Sequence, residues 1–170
     1  MVEEEEFDWK KYLCECLDST TVATLATFDE NGVWATPLYF SYDEKLNFYF
    51  ISSSKTRHMK DIKEDPRVAL SVFTPQPISG IYQIGVQVEG TASSVPDKDI
   101  EAIYAIRAKR MNGDLNWVPE PQEGHFVKAH GGVFMKVIPT AITYIDTRFF
   151  GGNSRSVPLD KFTGKNSKSK

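Results

Sequence analysis

The chain has 170 residues, 41% of them hydrophobic and 25% charged, which fits one globular domain with a real core and is too short for two ordinary ones. Its formal net charge of −3 provides no global attraction to nucleic acid or to an anionic membrane, so any anion site must be local. No apolar run approaches the length of a bilayer span, and the acidic start MVEEEEFDWKK is unlike a secretory signal; a cytoplasmic protein with neither membrane nor nucleic-acid partners is expected.

After the glutamate run, Phe7, Leu13 and Leu17 form a helical stripe that ends at Asp18-Ser19. The chain's 2 cysteines, Cys14 and Cys16, fall on nearly opposite sides of this helix and read as reduced thiols rather than a bridge or a metal pair. Residues 20–28 alternate and are β-branched, a strand; Asp29-Glu30-Asn31-Gly32 is a hairpin turn in which Asn-Gly supplies positive φ, and residues 33–42 return. Pro37 has no N–H for a ladder, which puts it at an edge, a bulge or a ligand-facing opening of the sheet. Asp43-Glu44-Lys45 then turns the chain into a third strand, residues 46–51. The aromatic set Tyr39, Phe40, Tyr49 and Phe50 reads as barrel core.

Residues 48–66, FYFISSSKTRHMKDIKEDP, form the stretch with the most chemistry. A strand ends at the serines, Met59 and Ile62 mark one face of a short helix, and Asp65-Pro66 stops it. The turn between them holds Ser52, Ser53, Ser54, Lys55, Thr56, Arg57 and His58. Two readings fit: hydroxyls, cations and a helix N-terminus form a phosphate cradle, or Ser54 or Thr56 merely caps the helix while the cations are solvated.

Residues 67–73 and 81–93 read as two further strands, with Gly85 and Gly90 marking bulges or a sharp bend. Residues 96–111 form the clearest helix, and Glu101, Lys109 and Arg110 read as its solvated face. Residues 112–124 are a loop in which Trp117 is a candidate lid residue, and residues 133–146 are a last long strand, bent or bulged at Pro139. His125 and His130 match no metal-ligand spacing and read as loop histidines. The domain spans residues 1–162, and 163–170 form a basic tail that is expected to be disordered. The fold class is therefore mainly β with flanking helices, a six-stranded antiparallel Greek-key or split barrel.

On the order of elements, on Lys55-Thr56-Arg57-His58 after strand three, and on Gly85-Val86-Gln87-Val88-Glu89-Gly90, the chain resembles the FMN-binding split-barrel family typified by pyridoxamine 5′-phosphate oxidase. The resemblance covers residues 20–146 and is nearest to a small uncharacterised bacterial branch. It implies a homodimer holding FMN in clefts at the subunit interface, with the phosphate on the serine-rich turn and the Arg-Lys pair after it. Arg57 matches the Arg, whereas His58 stands where the family has Lys, a weaker and pH-sensitive cation that Lys55 would have to supplement. Strand two would line the isoalloxazine through Thr36, Pro37 and Leu38, while Ser52 and Ser53 would reach the ring and phosphoribityl chain. Gly85 takes the place of a family Gln, leaving Gln83 and Gln87 as candidates beside it. The family's C-terminal Trp-x-Gly-x-x-Arg-Leu-His motif is missing, so vitamin B6 oxidation is not expected. The resemblance implies a flavin-dependent oxidoreductase with no nominated general acid or base. The alternative is a non-catalytic module that binds or senses flavin or haem.

Overall fold

The computed structural model describes residues 7–74, 82–110 and 132–163. The loop carrying Trp117, the histidines His125 and His130, and residues 164–170 of the basic tail lie outside that range.

The chain runs α1 (Trp9–Asp18), β1 (Val22–Asp29), β2 (Gly32–Tyr42), β3 (Phe48–Ser53), α2 (Arg57–Glu64), β4 (Arg67–Phe73) and β5 (Ile84–Ser94), then a 3-10 turn (Asp97–Asp99), α3 (Ile100–Arg110) and β6 (Gly132–Asp146). Three short elements that periodicity did not reveal follow: α4 (Thr147–Phe150), β7 (Ser154–Ser156) and α5 (Asp160–Thr163). All pairings are antiparallel, in the order β3-β2-β1-β4-β5-β6-β7, and an additional β3–β6 pairing closes the first six strands into a barrel. β4 returns beside β1 after the β1–β2–β3 meander, which is the Greek-key step. Among the described residues β7 pairs only with β6, outside the ring. Among the described residues no helix is long and apolar enough to cross a membrane.

Alternation puts one face of each strand inside. β4 is buried at every second residue, and Val68, Leu70 and Val72 join Leu25, Phe40, Phe48, Phe50, Val86, Val88 and Val137 in the core. Each such side chain contributes about 1.5–3 kcal/mol on full burial. α1 closes one side through Trp9, Leu13 and Leu17. A second cluster on the outer side of β3 joins Tyr49 and Phe134 to Val95 and to Ile103 of α3. Of the four aromatics read as core, Phe40, Tyr49 and Phe50 are buried, whereas Tyr39 is 50% exposed.

Three local readings change. The bulge lies at Glu89/Gly90, where the partner on β6 skips from Ala141 to Pro139, while Gly85 keeps regular register between Phe73 and Ile145. In the hairpin the positive φ belongs to Gly32 (111°) and not to Asn31. Arg110 leaves the solvated face assigned to it: its side chain is 9% exposed, stacks over Phe40 and Tyr42, and donates to the carbonyls of Leu17 and Thr20 and to Asp18 at the end of α1. A guanidinium with several donors and a flat face suits a helix C-terminus backed by aromatics.

Candidate functional site

β2 and β3 pair only through Phe40–Phe50, Ser41–Tyr49 and Tyr42–Phe48. Beyond that point β3 continues along β6 to Ser53↔Gly132, while β2 continues along β1 to Asp29↔Gly32, so the two strands part and a seam opens in the barrel. Continuing their register would set Leu38 opposite Ser52 and Pro37 opposite Ser53. The missing N–H of Pro37 removes one bond from such a ladder, and Arg107 of α3 donates to the Tyr39 carbonyl at 3.5 Å where the seam begins. Pro37 is thus paired with Thr24 on one side and, among the described residues, has no strand on the other. Thr36, Pro37 and Leu38 border one side of the seam; Ser52, Ser53 and the turn into α2 border the other.

The turn is closed by Thr56 N–H donating to the Ser53 carbonyl at 3.1 Å. Thr56 is the N-cap of α2 but makes no side-chain cap; its hydroxyl is turned back toward the turn and donates to Ser53 O at 2.9 Å. The first N–H groups of α2 are thereby left to an outside acceptor, with the positive helix end behind them. Ser54 and Lys55 are exposed beside them, and the Lys55 N–H points to Ser53 Oγ at 3.4 Å. This is a donor set that fits an anion.

Arg57 and His58 face elsewhere. Arg57 Nη2 donates to Asp29 Oδ1 at 3.3 Å and to the Gly32 carbonyl at 3.4 Å, and its guanidinium lies 4.8 Å from the Trp34 ring. Asn31 first, and Arg57 with it, hold the Asp29 carboxyl below its ordinary pKa. On the hairpin side Arg57 borders a recess of about 460 Å³ walled also by Asp29, Glu30, Asp61 and Glu64, with Lys60 as its other cation. That side repels anions, so an anion held by Arg57 is favoured on the turn side. His58 is buried, with Nε2 2.6 Å from Ser52 Oγ and 3.2 Å from Thr56 Oγ1. Burial pushes its imidazole pKa below the ordinary value, partly opposed by Asp61. Asp61 itself is buried and accepts from Thr27 Oγ1 at 2.6 Å, which ties α2 to β1. Sequence reasoning missed Asp29, Trp34 and the Thr27–Asp61 pair; of these only Trp34 carried a signal, standing two residues before Thr36 on the same strand face.

Gln83 and Gln87 are not brought to the turn within one chain. Gln83 precedes β5 and pairs through its backbone with Thr147. Gln87 is exposed on the outer barrel face, in register with Ser71 and Thr143 and, through Ser71–Thr24–Pro37, three strands away from the seam. At about 4.8 Å per strand that is roughly 14 Å around the sheet. There it lines a shallow groove of about 320 Å³ with Thr24, Ala26, Ala69, Ser71 and Ala141. A further cavity of about 1050 Å³ lies at the far end of β2 between α1, the β2–β3 turn and α3, and contains none of the candidate residues.

A closed antiparallel barrel with one opened seam, and an uncapped helix start on the lip of that seam, defines a split-barrel protein. The sequence model of the family described as pyridoxamine 5′-phosphate oxidase matches residues 10–133. The chain belongs to that family. A curated relative, a UPF0306 protein of Pasteurella multocida, is 33% identical over 84 residues, which span 49% of this chain and 56% of that protein. Among solved structures, a haem-binding protein from Mycobacterium smegmatis superposes with a TM-score of 0.67 at 16% identity, covering 86% of this chain and 56% of that one. A FAD-binding protein from Mesorhizobium loti gives 0.57 at 18% identity, covering 81% and 92%. At these identities the structural likeness concerns the fold.

Proposed function

We propose that the chain binds FMN along the seam, with the phosphate on the turn from Ser53 to Arg57 and the isoalloxazine against Thr36, Pro37 and Leu38, and that it is a flavin-dependent oxidoreductase other than a vitamin B6 oxidase. The observation that carries this reading is the uncapped start of α2, whose N-cap hydroxyl is turned inward and whose N–H groups are left to an acceptor. Family membership and the flavin named for a structural neighbour support the cofactor class. Bound flavin would supply hydride or electron transfer, and this chain would supply position and electrostatics. Ser54, Lys55 and the helix end hold the anion, Arg57 leaves Asp29 to fork onto it, and Trp34 keeps the guanidinium flat at the lip. No carboxylate or imidazole stands free at the described seam to move a proton, so no general acid or base is assigned.

A homodimer in the cytoplasm, with the cofactor between subunits, completes the proposal. The outer face supports it: small residues Ala26, Ala69 and Ala141 surround Gln87, and Val22, Phe28, Val33, Tyr39 and Phe73 are exposed around them. A partner seated there would bring Gln87 toward a seam that its own chain's Gln87 does not reach.

Haem is the competing ligand, named for one neighbour. Against it stands the one histidine among the described residues, His58, whose Nε2 is engaged by two hydroxyls rather than presented to a metal. Purification with excess FMN separates the readings. Retained flavin absorbance that NADH or NADPH bleaches is the expected result; a Soret band, or flavin that neither nicotinamide reduces, would overturn the oxidoreductase.

A further inference from the structure

Ser52, Thr56 and His58 form a triangle in which protons can be counted. Nε2 lies 2.6 Å from Ser52 Oγ and 3.2 Å from Thr56 Oγ1, and the two hydroxyl oxygens are 3.2 Å apart. Thr56 donates its one hydroxyl proton to the Ser53 carbonyl. A neutral imidazole carries one N–H, on either nitrogen, and a hydroxyl carries one proton. With Nε2 bare, the contact to Ser52 requires Ser52 to donate inward, and neither hydroxyl keeps a proton for an anion. With Nε2 protonated, the imidazole donates to Ser52 Oγ, and the Ser52 proton turns away from it, to Thr56 Oγ1 at 3.2 Å or to an anion that outcompetes that neutral acceptor.

We infer that His58 is a positioning residue that does not touch the phosphate: an Nε2–H on His58 makes Ser52 a donor to the anion, and a bare Nε2 withdraws that donor. The inference rests on the phosphate site proposed above and adds proton control to it. The family's lysine has no counterpart to this role, since an ammonium has no bare, accepting form at neutral pH.

Binding an anion therefore selects the Nε2–H forms and, by charge, the imidazolium among them, so the imidazole takes up a proton as the anion binds. The charged groups around it are Arg57 and Asp61 of α2, Lys55 of the turn and Asp29 of β1; β2 and β3 carry no charged side chain. Asp61 favours the imidazolium, and burial disfavours it in the free protein. A group whose pKa is raised by binding contributes affinity that is fully present below its free value and lost as pH rises through its bound value. The window opens below the ordinary histidine pKa of about 6.5. The second ionisation of a phosphate monoester, at about pH 6, tilts affinity the other way and must be controlled for.

FMN and riboflavin are titrated by flavin fluorescence from about pH 5 to 8 against wild type, Ser52→Ala and His58→Gln. Wild type is expected to lose roughly tenfold more FMN affinity with rising pH than Ser52→Ala, the share of one charge-assisted hydrogen bond. Ser52→Ala should keep the slopes of the phosphate itself and of the imidazolium charge, without the share carried by the Ser52 hydroxyl. His58→Gln, whose amide donates to Ser52 at every pH, should hold tight binding without the histidine slope, and riboflavin should stay level throughout. Ser52→Ala reproducing the wild-type profile overturns the relay and leaves the phosphate site standing. FMN binding no tighter than riboflavin to wild type at any pH overturns the phosphate site, and the relay with it. Nitrogen NMR of wild type guards against a misfolded variant: a His58 Nε2 that stays bare at saturating FMN overturns the relay.

Discussion

Arg57 and Asp29, 28 residues apart, meet across the tip of the β1–β2 hairpin with Nη2 and Oδ1 at 3.3 Å. The arginine proposed to bind the phosphate is thus held by a carboxylate, and on that proposal an anion competes with Asp29 for it. Arg57→Ala should weaken FMN by roughly 10- to 150-fold, the range of a charge-assisted hydrogen bond, and leave riboflavin nearly unchanged. Asp29→Asn, which can still accept from the Asn31 backbone, should tighten FMN by roughly 2- to 5-fold, the scale of an exposed ion pair. Fluorescence titration of both flavins reads both variants; equal losses for FMN and riboflavin in Arg57→Ala would sink the cradle.

The outer barrel face carries the dimer proposal. Ala69 lies in the groove beside Gln87, where a long charged side chain has room in a monomer and none against a second copy. Ala69→Arg is expected to convert a dimer to a monomer in light scattering and to weaken FMN at least tenfold, while leaving the circular dichroism of the barrel unchanged. Wild type that scatters as a monomer with FMN bound would contradict the interface.

The link between α2 and β1 depends on a hydrogen bond with no solvent to replace it. Thr27 is 2% exposed and Asp61 2% exposed, and the hydroxyl reaches the carboxylate at 2.6 Å. Thr27→Val keeps the shape, removes the donor and should cost about 1.5–3 kcal/mol in urea unfolding. Thr27→Ser should recover most of it. A valine variant as stable as wild type would mean that Asp61 is held by other groups.

At the bulge, a Cβ on Gly90 would stand 2.6 Å from the Ile138 carbonyl oxygen and 2.8 Å from Val137 Cγ1. The backbone of β6 cannot yield there without loosening the ring, so Gly90→Ala should destabilise by about 1–3 kcal/mol, the scale of overpacking. Gly152→Ala, with nothing within 4 Å, is the control and should change little. Comparable unfolding midpoints for the two variants would remove the steric argument.

Local signals determined a good part of this protein. Period-two alternation in β1, the hairpin ending in Gly32, and the hydroxyl-and-cation turn before Met59 and Ile62 are legible because each depends on residues a few positions apart. The family likeness of Arg57 and the departure at His58 are legible for the same reason. Tertiary structure alone decided what those side chains face. The hairpin brings Asp29 and Trp34 to Arg57, the inward face of α2 buries His58 and leaves it an imidazole of lowered pKa bonded to Ser52, and the end of α1 draws Arg110 inward. Charge state and reach are set by the dielectric and the partners packed around a group, and those partners come from distant parts of the chain.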